Sequence, residues 1–140
     1  MTLRDFFNRR LERHPGKPFL YFEDRVLSYE DFDARVNQAA NALISLDVGP
    51  GDKVSLMLPN VPMFLYLWFG LAKIGAVMVP VNPQFKVAEA NHLVAHSDSV
   101  GLVVDGERLA VGRKIKADTD ALRWVGCIDD NAAGAGDAVA

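Results

Sequence analysis

Four short apolar runs recur along the chain: KVSLML at 53–58, AVMVPV at 76–81, SVGLVVD at 99–105 and RWVGCI at 123–128. A half-exposed strand alternates polar and apolar residues. A strand covered on both faces does not, and these four runs barely alternate. Between them lie segments of helical length and pattern, at 61–74, 87–96 and 107–116. Strand, helix, strand in repetition requires right-handed crossovers. The expected fold class is therefore α/β, a mainly parallel sheet with helices on both faces.

The residues before this alternation form a separate preamble. Thr2 and Asp5 have the spacing of a capping box, and Leu3, Phe6, Phe7 and Leu11 follow at helical intervals. His14-Pro15-Gly16 ends that helix. PFLYF at 18–22, a turn at Glu23-Asp24, and RVLSY read as a short hairpin. Ser28 and Asp31 repeat the capping-box spacing. Behind them Phe32, Val36, Ala39, Ala40 and Leu43 share one helical face, with Asp33, Arg35, Asn37 and Gln38 off it. This helix stops near Asp47, and Gly49-Pro50-Gly51-Asp52 is a tight turn. Asn60 is the expected cap of the 61–74 helix, and Gly75 its left-handed stop. Residues 129–140 are small and lack a period, which divides the chain into an α/β portion at 1–128 and a flexible tail or linker.

Composition fits one soluble domain: 140 residues, half hydrophobic and about a quarter charged. The net charge of −3 is mild. No nucleic acid and no anionic membrane is indicated, since either partner wants clustered Lys and Arg. Residues 61–81 are apolar and long enough to cross a bilayer. Lys73 stands near the middle, where a charge costs roughly 2.5–3.5 kcal/mol, and Pro62, Gly70, Gly75 and Pro80 interrupt the run. A helix followed by a buried strand fits better than a membrane span. Cys127 is the lone cysteine, so no internal disulfide forms and a reducing, cytoplasmic compartment is expected. The N-terminus lacks the pattern of a secretory signal.

Recognisable chemistry is sparse. A dinucleotide site wants G-x-G-x-x-G after the first strand, whereas the turn here is Pro59-Asn60-Val61-Pro62, and proline removes the N–H that would bind phosphate. Gly49 and Gly51 precede a strand, and Gly134 and Gly136 are followed by no helix or basic residue. There is no Walker motif. His92 and His96 are four apart on an expected helix and could share a metal ion, but two ligands are too few. Surface placement, with His96 near a helix C-terminus, is the plainer reading. Cys127 falls in an expected buried strand, a setting for packing rather than nucleophilic reactivity. Phe64, Tyr66, Trp68 and Phe69 read first as core and second as a wall for an apolar ligand. Asp24, Asp47 and Asp52 are turn residues.

The segments LSYEDFDARVNQAANAL, VGPGDKVSLMLPNVPMFLYLWFGLAKIGAVMVPVNPQF and HLVAHSDSVGLVVD, in that order, resemble the start of the adenylate-forming (AMP-binding) enzymes, and within them the acyl-CoA synthetases. The likeness runs over about 3–105 and rests on the Leu/Ser/Tyr lead into a helix, the GD-x-V turn and strand, the L-P-N turn and the A-K-x-G-A-x-x-V-P-x-N-P run. It implies activation of a carboxylate, such as a fatty acid, with ATP and Mg2+, then transfer of the acyl group to coenzyme A. The family's phosphate loop, magnesium glutamate motif, ribose-binding aspartate and catalytic lysine are not among these residues. The resemblance therefore implies the first piece of a larger N-terminal domain, inactive alone. It places Asn82, Pro83 and Gln84 near the family's coenzyme A channel; the same three residues also serve simply to turn the chain. The competing expectation is a free-standing α/β binding or assembly module that self-associates through exposed edges.

Overall fold

In a computed structural model of the chain, residues 2–22 and 25–128 and the backbone of 137–139 are described. Helix α1 (Leu3–Arg13) is followed by a two-stranded antiparallel hairpin, β1 (Pro18–Phe22) and β2 (Arg25–Ser28). Then come α2 (Tyr29–Ser45), β3 (Lys53–Met57), α3 (Pro62–Lys73), β4 (Val77–Pro80), α4 (Val87–His96), β5 (Gly101–Asp105), α5 (Leu109–Asp118) and β6 (Trp124–Ile128). Strand β7 (Asp137–Val139) pairs antiparallel with β6, so the sheet runs β4-β3-β5-β6-β7 with its first four strands parallel. The hairpin turn expected at Glu23-Asp24 and most of the expected tail, residues 129–136 and 140, lie outside the described residues.

The helices cover both faces of the sheet, as the apolar runs require. Alternate residues of one strand go to opposite sides: Val54 and Leu56 of β3 join one core, and Met57 joins the other. The first core collects α1, the hairpin, α2 and α3. It is aromatic, with Phe7, Phe19, Phe32 and Phe69 in mutual contact and ring centroids 4.6–6.0 Å apart. The second core lies under α4 and α5 and is aliphatic, with Val94, Leu102, Val104, Ile115 and Leu122.

Helices α2 and α3 approach closely because Gly70 has no side chain. A Cβ there would stand 3.1 Å from the Ala40 backbone nitrogen. Lys73, the residue that argued against a membrane span, closes this contact: its Nζ donates to Asp33 Oδ1 at 2.6 Å and to Asn37 Oδ1 at 2.7 Å. Arg4 Nη1 donates to the Lys73 carbonyl at 3.2 Å, which joins α1 to the pair. Among the described residues no helix is long and apolar enough to cross a membrane. On the opposite face the buried Ser55 hydroxyl meets Ser99 Oγ at 2.6 Å. Ser99 in turn meets Ser97 Oγ at 2.8 Å, holding the end of α4 to the sheet.

The caps show where local signals decided and where they did not. Thr2 and Asp5 form the full box. Ser28 accepts from the Asp31 N–H at 3.1 Å. Gly75 takes φ 78°, as a left-handed helix stop requires. Asn60 does not cap α3: the cap position is Val61, without a side-chain bond, and Pro62 occupies the first helical position. Proline has no N–H to leave unsatisfied there, so it starts the helix by its fixed φ instead. The helix expected from 107 begins as a single 3-10 turn, Gly106–Arg108, before α5.

Candidate functional site

The order β4-β3-β5 means that the chain leaves β3 for one side and returns on the other. In open parallel sheets such a reversal leaves a crevice beyond the carboxyl ends of the strands, and ligands bind there. Three segments meet at this edge: Leu58-Pro59-Asn60 after β3, residues 81–85 after β4, and 105–108 after β5.

One buried carboxylate organises it. Asp105 is 2% exposed. Its Oδ1 accepts from the Arg108 N–H at 3.1 Å and its Oδ2 from Arg108 Nη1 at 2.6 Å. Arg108 Nε donates to the Pro83 carbonyl at 2.8 Å. The end of β5 thus holds the loop after β4, on the far side of β3. That loop is also internally braced: Asn82 Oδ1 accepts from the Gln84 N–H at 2.9 Å, and the Asn82 carbonyl from the Phe85 N–H at 3.0 Å. Asn82 and Gln84 are exposed and Pro83 half-buried. The turning role is therefore occupied, while the Gln84 side chain faces solvent.

Next to the β3 exit lies an apolar groove of about 300 Å³, lined by Leu20, Phe22, Asn60, Val61, Pro62, Phe64 and Leu65. Of the α3 aromatics, only Phe64 forms a wall of it. Tyr66 is buried core at 1% exposure, and burial pushes its phenol above the ordinary value. Phe69 packs among the phenylalanines. Trp68 is 38% exposed and rests against Phe69.

The remaining candidates do not converge on this edge. His92 and His96 stack with ring centroids 5.8 Å apart, both exposed. Among the described residues no group of three His, Cys, Asp or Glu could hold a metal ion. Cys127 is half-buried, its thiol 3.6 Å from the Ile128 carbonyl. Asp47 takes φ 63° in its turn, and Asp52 Oδ2 accepts from the Gly49 N–H at 2.9 Å. Prolines 59 and 62 bring no N–H to the β3 turn, and the Asn82 carboxamide oxygen is engaged within its own loop. Sequence reasoning missed Asp105 and Arg108. The local signal was an acidic residue closing an apolar strand with arginine three positions later.

Comparison with known proteins agrees with this arrangement. The family described as AMP-binding enzyme matches residues 7–140. Crotonobetaine/carnitine–CoA ligase of Proteus mirabilis is 41% identical over 103 residues, covering 67% of this chain and 20% of that protein. Long-chain fatty acid transport protein 6 of Mus musculus is 34% identical over 110 residues, covering 78% and 18%. The N-terminal domain of FACL13 from Mycobacterium tuberculosis superposes over 94% of this chain and 34% of its own, with TM-score 0.83 and 26% identity. The anthranilate CoA ligase AuaEII, solved with anthranoyl-AMP, superposes over 92% of this chain and 25% of its own, with TM-score 0.83 and 25% identity. The chain spans about a fifth of the length of the first of these relatives.

Proposed function

The chain belongs to the AMP-binding enzyme family, and we propose that it is the N-terminal portion of an ATP-dependent carboxylate–CoA ligase, without turnover of its own. The observation that carries this reading is the superposition of nearly the whole chain on a domain described as N-terminal in a larger relative. In the proposed parent, ATP and Mg2+ activate a carboxylic acid and the acyl group then passes to coenzyme A. Fatty-acid and carnitine-type acids are the substrate classes that the relatives' names suggest. Residues 1–128 are the scaffold of the adenylation domain, and 137–139 add a strand to its sheet. Asn82, Pro83 and Gln84 border the coenzyme A path, an assignment supported by their place at the carboxyl edge of the sheet. The single cysteine favours a cytoplasmic setting. The test is ATP–pyrophosphate exchange with a panel of carboxylic acids. None is expected from the 140 residues alone, and robust exchange overturns the reading.

The second reading is a self-associating α/β module. It is favoured by the outer edge of β4, where Val77 is 46% exposed. Sedimentation that shifts to larger species with concentration supports it, and a monomer at all concentrations rules it out.

A further inference from the structure

Helix α1 carries an outward, exposed stripe of which the fold engages only Arg10. Phe6, Arg9, Arg10 and Arg13 follow at i, i+3, i+4 and i+7, so they share one face. The opposite stripe, with Phe7 and Leu11, packs into the aromatic core. The helix's two acids, Asp5 and Glu12, border this face beside Arg9, at i−4 and i+3 from it, and Asp5 is engaged with Thr2 in the capping box. Phe6 is 56% exposed, and it sits among the arginines around a shallow hollow of about 290 Å³. Among the described residues, Arg9 and Arg13 have no acidic partner. Arg10 donates to the Tyr29 hydroxyl at 3.3 Å and lies over its ring. Partial burial, followed by the charges of Lys17, Arg10 and Arg13, holds His14 below its ordinary value.

We propose that this face docks on an anionic membrane surface, with Arg9, Arg10 and Arg13 on lipid phosphates and Phe6 in the headgroup layer. Guanidinium groups chelate phosphate oxygens bidentately, and a helix lying flat with one aromatic among arginines matches the interfacial geometry. The hollow has no glycine-rich backbone cradle to enclose a single soluble phosphate. A planar array of phosphates suits a row of long exposed arginines better. The net charge of −3 conceals the patch, because a chain average does not report where the arginines stand. The inference concerns membrane contact by this face of α1 only.

The experiment is co-sedimentation of the chain with vesicles of phosphatidylcholine alone and of an equimolar mixture of phosphatidylcholine and phosphatidylglycerol, at rising salt. Binding is expected only to the anionic vesicles, falling as salt rises. Neutralising an arginine should weaken it about fivefold per charge. Arg9→Glu with Arg13→Glu should abolish it, and Arg9→Lys with Arg13→Lys should largely retain it. Phe6→Ser should weaken binding while leaving its salt dependence. These side chains are exposed, so far-UV circular dichroism should show the variants folded. Equal binding to both vesicle types, or retention by the double glutamate variant, overturns the proposal. Binding to polyglutamate in solution with no binding to vesicles also overturns it, and assigns the face to an acidic protein.

Discussion

The two sides of the sheet are built on different principles. The side facing α1, α2 and α3 is filled by large rings, and its helices are cross-tied by Lys73, Asp33, Asn37 and Arg4. The side facing α4 and α5 is filled by branched aliphatic residues, with small hydroxyl and amide links, Ser55–Ser99–Ser97 and Thr119–Asn91. Rings tolerate a curved, three-helix cover because edge-to-face contacts form over a range of distances. Aliphatic packing against two short helices demands closer fit, and Gly112 supplies it: a Cβ there would stand 3.1 Å from Val125 Cγ1. The difference shows that one sheet can be sealed by bulk on one face and by fit on the other.

Phe32→Ala probes the first face most severely. Phe32 is fully buried and its ring meets Phe7, Phe19, Tyr66 and Phe69. A loss of about 3–5 kcal/mol is expected in urea unfolding, and a loss near 1 would mean that the rings refill the gap. Arg108→Ala tests the edge where the faces meet. It strands the buried Asp105 carboxylate, so a loss of about 3 kcal/mol is expected, with faster amide exchange in residues 81–85. Unchanged exchange there would deny that Arg108 holds the loop. Ile115→Val, on the aliphatic face, should cost about 1 kcal/mol, and a value as large as that of Phe32→Ala would erase the contrast. The smallest effect belongs to the cap of α1. The Thr2 backbone N–H and then its hydroxyl hold the Asp5 carboxyl below its ordinary 3.8. Its support is therefore full above that value and is lost as pH falls through the lowered one. Amide exchange in the first turn of α1 should rise over that acid range, and a flat profile would contradict the cap.

Much of the architecture was legible because its signals are local. The unbroken apolar runs became β3, β5 and β6, and the punctuation at Pro18, Phe22 and Gly75 marked real boundaries. The AMP-binding resemblance, which rested on residues up to about 105, proved correct. Asn60 misled because residue type was weighed without its neighbour Pro62, which starts α3 unaided. The Asp105–Arg108–Pro83 bridge was illegible for a different reason: Arg108 and Pro83 are 25 positions apart, and only the sheet order brings their loops together. The arginine face of α1 could have been read from spacing alone, had charge been mapped onto the helix rather than summed.

Strand β3 sits between β4 and β5, yet it is made before either. A ribosome releasing this polypeptide would expose one flank of β3 until residues 101–105 emerge, well after 77–80 have closed the other. That interval leaves a greasy ribbon open to wrong pairing. A polypeptide halted at residue 98 is therefore expected to pellet with aggregates, whereas one halted at 128 stays in the supernatant; equal solubility of the two would show that the waiting flank is harmless.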